Sequence, residues 1–111
     1  MVPIQHNFRH AWRGIVTLIK TERSFRIHLL IAFLVLSFAL YQNISKILMV
    51  GLLLIIAFII SLEIFNSAIE RLVDMLAPRT HKFAKEVKDL LAAMVLIASL
   101  FAVIIGLIIF L

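Results

Sequence analysis

The chain has 111 residues, of which 64% are hydrophobic and only 15% charged. A domain this small has too little interior to hide so much apolar side chain from water, so a soluble fold is excluded and the surplus must face lipid. The formal charge of +5 would suit nucleic acid, but the positive residues lie beside hydrophobic stretches, where anionic lipid headgroups are the simpler partner and no nucleic acid is expected.

Residues 5–22 do not read as a span. Phe8, Trp12, Ile15 and Ile19 recur at helical spacing while Arg9, Arg13 and Lys20 gather on another side. That pattern predicts an amphipathic helix lying in the membrane interface, aromatic face down. Beyond it, no Lys, Arg, Asp or Glu falls between Arg26 and Lys46, between Lys46 and Glu63, or after Asp89, leaving stretches of 19, 16 and 22 residues. A spanning helix needs about 20 mostly apolar residues, so three spans are expected. The first covers 27–44, with the Tyr41 ring suited to the interface, and Gln42 to Lys46 form a short outer turn. The second covers 47–74, longer than the bilayer needs, so its last turns project as an extension. Ala77-Pro78-Arg79-Thr80 breaks it, because Pro disfavours helical geometry in the preceding residue. Thr80 is placed to cap the next helix, which runs over 81–111, starting outside the membrane and entering it at Leu90.

Neither repeats, linkers nor a cleavable leader are legible, and residues 1–111 read as one all-α membrane domain. With no cysteine in the chain, disulfides and thiolate metal sites are excluded. Lys and Arg concentrate before the first span and between the second and third, with Lys46 alone in the outer turn. The positive-inside rule therefore puts the N-terminus and residues 70–89 in the cytoplasm.

One polar face demands an explanation. Glu63, Asn66, Glu70 and Asp74 are spaced by three, four and four, which places them on one side of the second span, with Ser67 beside them. Glu63 ends a long apolar run, and an ionisable group at that depth is expensive unless it faces a protein interior or a wet cavity. For Asp74 alone, a pairing with lysines of the following helix suffices. For Glu63, Asn66 and Glu70 together a site is the better reading. Two such carboxylates can divide roles. One holds Mg²⁺, which prefers oxygen ligands and bridges carboxylates to phosphate oxygens. The other accepts the proton of an attacking hydroxyl at the lipid boundary. Phosphoryl transfer also needs cations on the triphosphate. Lys85 and Lys88 are placed to supply them, although for Lys82 and Lys85 a generic positive-inside cluster is the better reading. A Gly-rich phosphate loop is absent, since Gly14, Gly51 and Gly106 are far apart. Three short spans do not enclose Glu63, Glu70 and a triphosphate, so a homo-oligomer is expected.

Glu63-Ile64-Phe65-Asn66-Ser67-Ala68-Ile69-Glu70 with Val73-Asp74 resembles the signature of the small prokaryotic diacylglycerol kinases and the related undecaprenol kinases. His81, Ala84-Lys85 and Lys88-Asp89 follow in the family's order, and Trp12 and Glu22 with Phe25-Arg26 fit its N-terminal part. The resemblance implies a homotrimer in a bacterial inner membrane, with active sites shared between subunits, using Mg²⁺ and ATP as phosphoryl donor to phosphorylate diacylglycerol or undecaprenol. It implies Glu63 as catalytic base, Asn66 as a positioning group, and Glu22 and Glu70 as ligands of Mg²⁺ with the triphosphate. Lys88, Asp89 and His81 would contact ATP, with His10 on the same side. Trp12, Arg26 and Ala92 would border the lipid. Leu91 and Met94 depart from the family, standing where small residues are usual, and Arg79-Thr80 replaces small residues beside the nucleotide.

Two readings from other classes compete. A small proton- or cation-coupled transporter or channel subunit would use Glu63, but would not explain acids and lysines clustered at one membrane face. A structural subunit would use the polar face to bind a partner.

Overall fold

The computed structural model describes residues 4–76 and 81–111. They form helices α1 (Ile4–Thr21), α2 (Arg23–Tyr41), α3 (Lys46–Leu76) and α4 (Lys82–Phe110). The last three are long and apolar enough to cross a membrane. The second span extends two residues beyond its expected end, and the first helix of the three begins at Arg23, four residues before the apolar run, because Arg23 and Arg26 complete its first turn. Ile44, assigned to the first span from sequence, stands in the turn after it.

Each junction has a local cause. Glu22 adopts an extended backbone, φ −122° and ψ 113°, and so separates α1 from α2. Arg26 turns back and donates to the carbonyl of Ile19 at 2.7 Å, satisfying an acceptor that the end of α1 leaves open. The simple i, i+4 pair of Arg26 with Glu22 therefore does not form, and the Glu22 carboxylate is free to reach α3. Between α2 and α3, Ile44 N–H donates to Ala39 and Asn43 N–H to Leu40. This is a Schellman closure in which Asn43 takes φ +53°, a left-handed position that Asn tolerates better than most residues. Ser45 then caps α3, its hydroxyl accepting from Leu48 N–H at 3.3 Å. The cap of α4 falls on His81, whose Nδ1 accepts from Phe83 N–H at 3.2 Å. That is one residue later than expected; Thr80 and the Pro78 break lie outside the described residues.

Helix packing concentrates on α3, which contacts both α2 and α4. On α4 the buried positions are Ala84, Leu91 and Ala98, seven residues apart, the spacing of a left-handed helix seam. Leu91 thus stands in the packing seam. Met94 lines a small apolar recess with Ile55, Phe58 and Leu62 of α3. The bulk at these two positions goes into helix packing. On α3 the buried residues are Leu52, Glu63 and Ser67, so two polar side chains occupy places that packing alone would give to apolar ones. Most of each span remains uncovered, leaving large faces for lipid or for further copies.

Candidate active site

The break at Glu22 and the polar face of α3 meet. Ser67 lies one turn beyond Glu63 and is buried, and its hydroxyl donates to Glu22 Oε1 at 2.6 Å. Arg71, one further turn along, donates to Glu22 Oε2 at 3.3 Å and to the Thr21 hydroxyl at 2.9 Å. Because Glu22 stands at the start of α2 without capping it, its carboxylate is available to reach across to α3. The result ties the α1–α2 junction to α3, level with the carboxylates the sequence singled out.

Glu63 is the buried acid of the group, 8% exposed. Its Oε1 is in close polar contact with Nδ1 of His28 on α2, although that nitrogen makes no well-formed hydrogen bond, and Oε2 is buried without a hydrogen-bond partner among the described residues. Asn66, one turn on, likewise buries an Oδ1 that has no partner there. A carboxylate held at one oxygen and open at the other can accept a proton, and a burial costing free energy without such a use is uncommon.

His28 also lines an apolar groove of about 360 Å³ between α2, α3 and α4. The groove passes Val35, Leu52, Ile56 and Ile60 and reaches Phe110, with Ser99 the other polar side chain in its wall. From Ser99 to Phe110 along α4 is about 16 Å at 1.5 Å per residue. A hydrocarbon chain suits such a groove, and the polar residue at its end nearest Glu63 is His28.

The lysine cluster resolves differently. Lys88 Nζ donates to Asp74 Oδ1 at 2.6 Å, which is the pairing expected for Asp74. Both partners are substantially exposed, so this link contributes only about 0.2–1 kcal/mol. Along α3, then, Glu63, Ser67, Glu70, Arg71 and Asp74 span about 16 Å and gather Glu22, His28 and Lys88 around them.

The other residues singled out by sequence are not drawn into this cluster within one chain. Trp12, His10, Asp89 and Ala92 are exposed; His10 Nε2 meets His6 Nε2 at 2.7 Å, and His81 is engaged at its cap. Arg26 faces the end of α1, and Ala92 is outside the groove wall. Sequence reasoning missed His28 and the bridging parts played by Ser67 and Arg71. For His28 a signal was present: it falls on the inward stripe of α2 at helical spacing from the buried Phe25 and Ala39.

Mg²⁺ with ATP suits the donor set. Glu22 and Glu70 offer hard carboxylate oxygens. Among the described residues no three acidic or histidine groups converge into a ready-made metal cage; Mg²⁺ commonly takes one or two carboxylates and fills its remaining positions with phosphate and water.

The chain is 39% identical over 105 residues to an undecaprenol kinase of Bacillus subtilis, covering 95% of this chain and 85% of that protein. It is 36% identical over 101 residues to a diacylglycerol kinase of Synechocystis, covering 90% of this chain and 58% of that one. Over 95 residues it is 32% identical to a diacylglycerol kinase of Escherichia coli, covering 86% of this chain and 78% of that one. The prokaryotic diacylglycerol kinase model matches residues 9–110, and this chain belongs to that family of membrane lipid kinases.

Proposed function

We propose that this protein transfers the γ-phosphoryl group of Mg-ATP to the hydroxyl of a long-chain polyprenol such as undecaprenol, with Glu63 as the general base. The observation that carries the reading is the buried Glu63 carboxylate, one oxygen unpartnered among the described residues, in contact with His28, which lines the apolar groove. The groove wall offers a hydrocarbon tail only His28 and Ser99 as polar groups. A polyprenol asks for nothing beyond recognition of its hydroxyl, whereas diacylglycerol also brings ester carbonyls that favour donors. The relative named undecaprenol kinase supports the same choice.

Glu63 Oε2 accepts the proton of the lipid hydroxyl as that oxygen bonds to the γ-phosphorus and the bond to the bridging oxygen of ADP breaks. Asn66, whose Oδ1 is unpartnered among the described residues, stands one turn away to position the reacting groups. Glu22, anchored by Ser67, and Glu70, one turn along α3, hold Mg²⁺. When bound, that ion neutralises charge on the β- and γ-phosphates. Lys88 leaves Asp74 for the triphosphate, with His81 and Asp89 on the same side. α1 lies in the cytoplasmic interface with Phe8 and Trp12 towards lipid, the N-terminus is cytoplasmic, and the membrane is the bacterial inner membrane. The protein works as a homotrimer. The uncovered faces of the spans and the outward His10 and Asp89 support completion of each site by a neighbouring copy.

The test is radiolabel transfer from γ-labelled ATP by purified protein in mixed micelles, with undecaprenol and diacylglycerol at equal mole fraction. Labelled polyprenyl phosphate should dominate and should vanish on chelation of Mg²⁺. Label entering only diacylglycerol overturns the choice of substrate. Label entering neither lipid overturns the kinase reading of this chain.

A further inference from the structure

We infer that His28 is a positioning residue for phosphoryl transfer, orienting the Glu63 carboxylate so that one oxygen is anchored and the other faces the lipid hydroxyl. The inference rests on Glu63 being the base. The two side chains come from different helices: Glu63 from α3 and His28 from the inward stripe of α2, three residues after the fully buried Phe25. The imidazole therefore reaches Glu63 from a packed stretch of α2. Nδ1 meets Oε1, and Oε2 is left buried and unpaired among the described residues.

This asymmetry has a chemical consequence. A carboxylate without an anchor rotates about its last bond and presents either oxygen, or neither, to the acceptor. With Oε1 held, Oε2 has a defined direction, and proton transfer to it takes place from a fixed distance. The same imidazole lines the groove, so it borders the place where the lipid hydroxyl must arrive. Glu22 is itself held by Ser67 and Arg71 and makes no hydrogen bond with the imidazole. His28 neither takes up nor releases a proton in this scheme: the proton moves from the hydroxyl to Glu63 Oε2.

The experiment compares His28→Leu, His28→Asn, Glu63→Gln and the double variant His28→Leu/Glu63→Gln, each confirmed as an intact oligomer. Asn sets an amide N–H near the place of Nδ1, while Leu keeps bulk without a donor. His28→Leu should lower kcat by about 10²-fold, the scale of a misplaced reacting group, with KM for Mg-ATP unchanged. His28→Asn should recover most of the loss. The double variant should be no slower than Glu63→Gln alone, because a residue acting through the base has nothing left to act on. Equal loss in the Asn and Leu variants, additive loss in the double variant, or near-normal kcat in His28→Leu overturns the inference. Near-normal turnover of Glu63→Gln instead removes the base reading beneath it, a distinguishable result.

Discussion

Replacing Ser67 by Ala isolates the anchor of Glu22. The hydroxyl is buried and donates to a carboxylate at 2.6 Å, and hydrogen bonds to charged groups contribute roughly 1.5–3 kcal/mol. The remaining hold on Glu22 is Arg71 at 3.3 Å, with half of its side chain exposed, a pair in the range of about 0.2–1 kcal/mol. Ser67 is therefore the dominant restraint. Losing it releases Glu22 from the position in which it is proposed to meet Mg-ATP, by a factor of about 12–140 at 1.4 kcal/mol per tenfold. In steady-state assays at saturating lipid, Ser67→Ala should raise KM for Mg-ATP by about tenfold or more, towards that ceiling. kcat should change much less, since Glu63 keeps its own contact with His28. Ser67→Thr, which retains a hydroxyl, should lie nearer the parent. An unchanged KM for Mg-ATP in an intact oligomer would refute the link between this hydrogen bond and the metal site.

Two further outcomes follow from topology and assembly. Gln42→Cys, exposed in the turn after α2, should be labelled only from outside a right-side-out vesicle, and Trp12 fluorescence should be quenched by brominated lipid; labelling of residue 42 only from the cytoplasmic side contradicts the orientation. Asn43 is the wrong probe there, because its positive φ would strain a cysteine. The structure gathers Glu22 and Glu63 within one chain, so mixing Glu22→Gln with Glu63→Gln chains should restore nothing. Mixing Glu63→Gln with Asp89→Asn, each inactive alone, should restore activity if a neighbour lends Asp89; absence of recovery in proven mixed oligomers argues for sites complete within one chain.

Much of the architecture was legible because lipid tolerates few charges: the gaps between Arg26, Lys46, Glu63 and Asp89 mark the spans with little ambiguity. Helical periodicity also identified the polar face of α3, since residues 63, 66, 70 and 74 share a side in any straight helix. Periodicity says which side a residue occupies and not what stands opposite. Glu22 and Ser67 are 45 residues apart, and nothing local to either foretells their bond. Glu22 was singled out by resemblance alone, and its partner emerged only when the α1–α2 break was seen to aim it at α3. His28 was overlooked for the converse reason. It belongs to an apolar stripe whose pattern suggests lipid or packing, and its meaning depends on Glu63 across the helix contact. Arg26 shows the limit of spacing rules, since an available i, i+4 partner lost to an open carbonyl at the end of α1.

The central claim is that Glu63 receives the hydroxyl proton, and Glu63→Gln tests it most directly. Gln keeps the shape and an oxygen able to hydrogen-bond, but does not serve as the base. Turnover of lipid should fall by about 10²–10⁴-fold, the usual contribution of general-base catalysis, while Mg-ATP binding measured by titration and the oligomeric state stay as in the parent. Near-normal turnover in the folded oligomer, or loss of Mg-ATP binding equal to that of Glu70→Gln, would contradict the assignment and make Glu63 a structural or metal-site group.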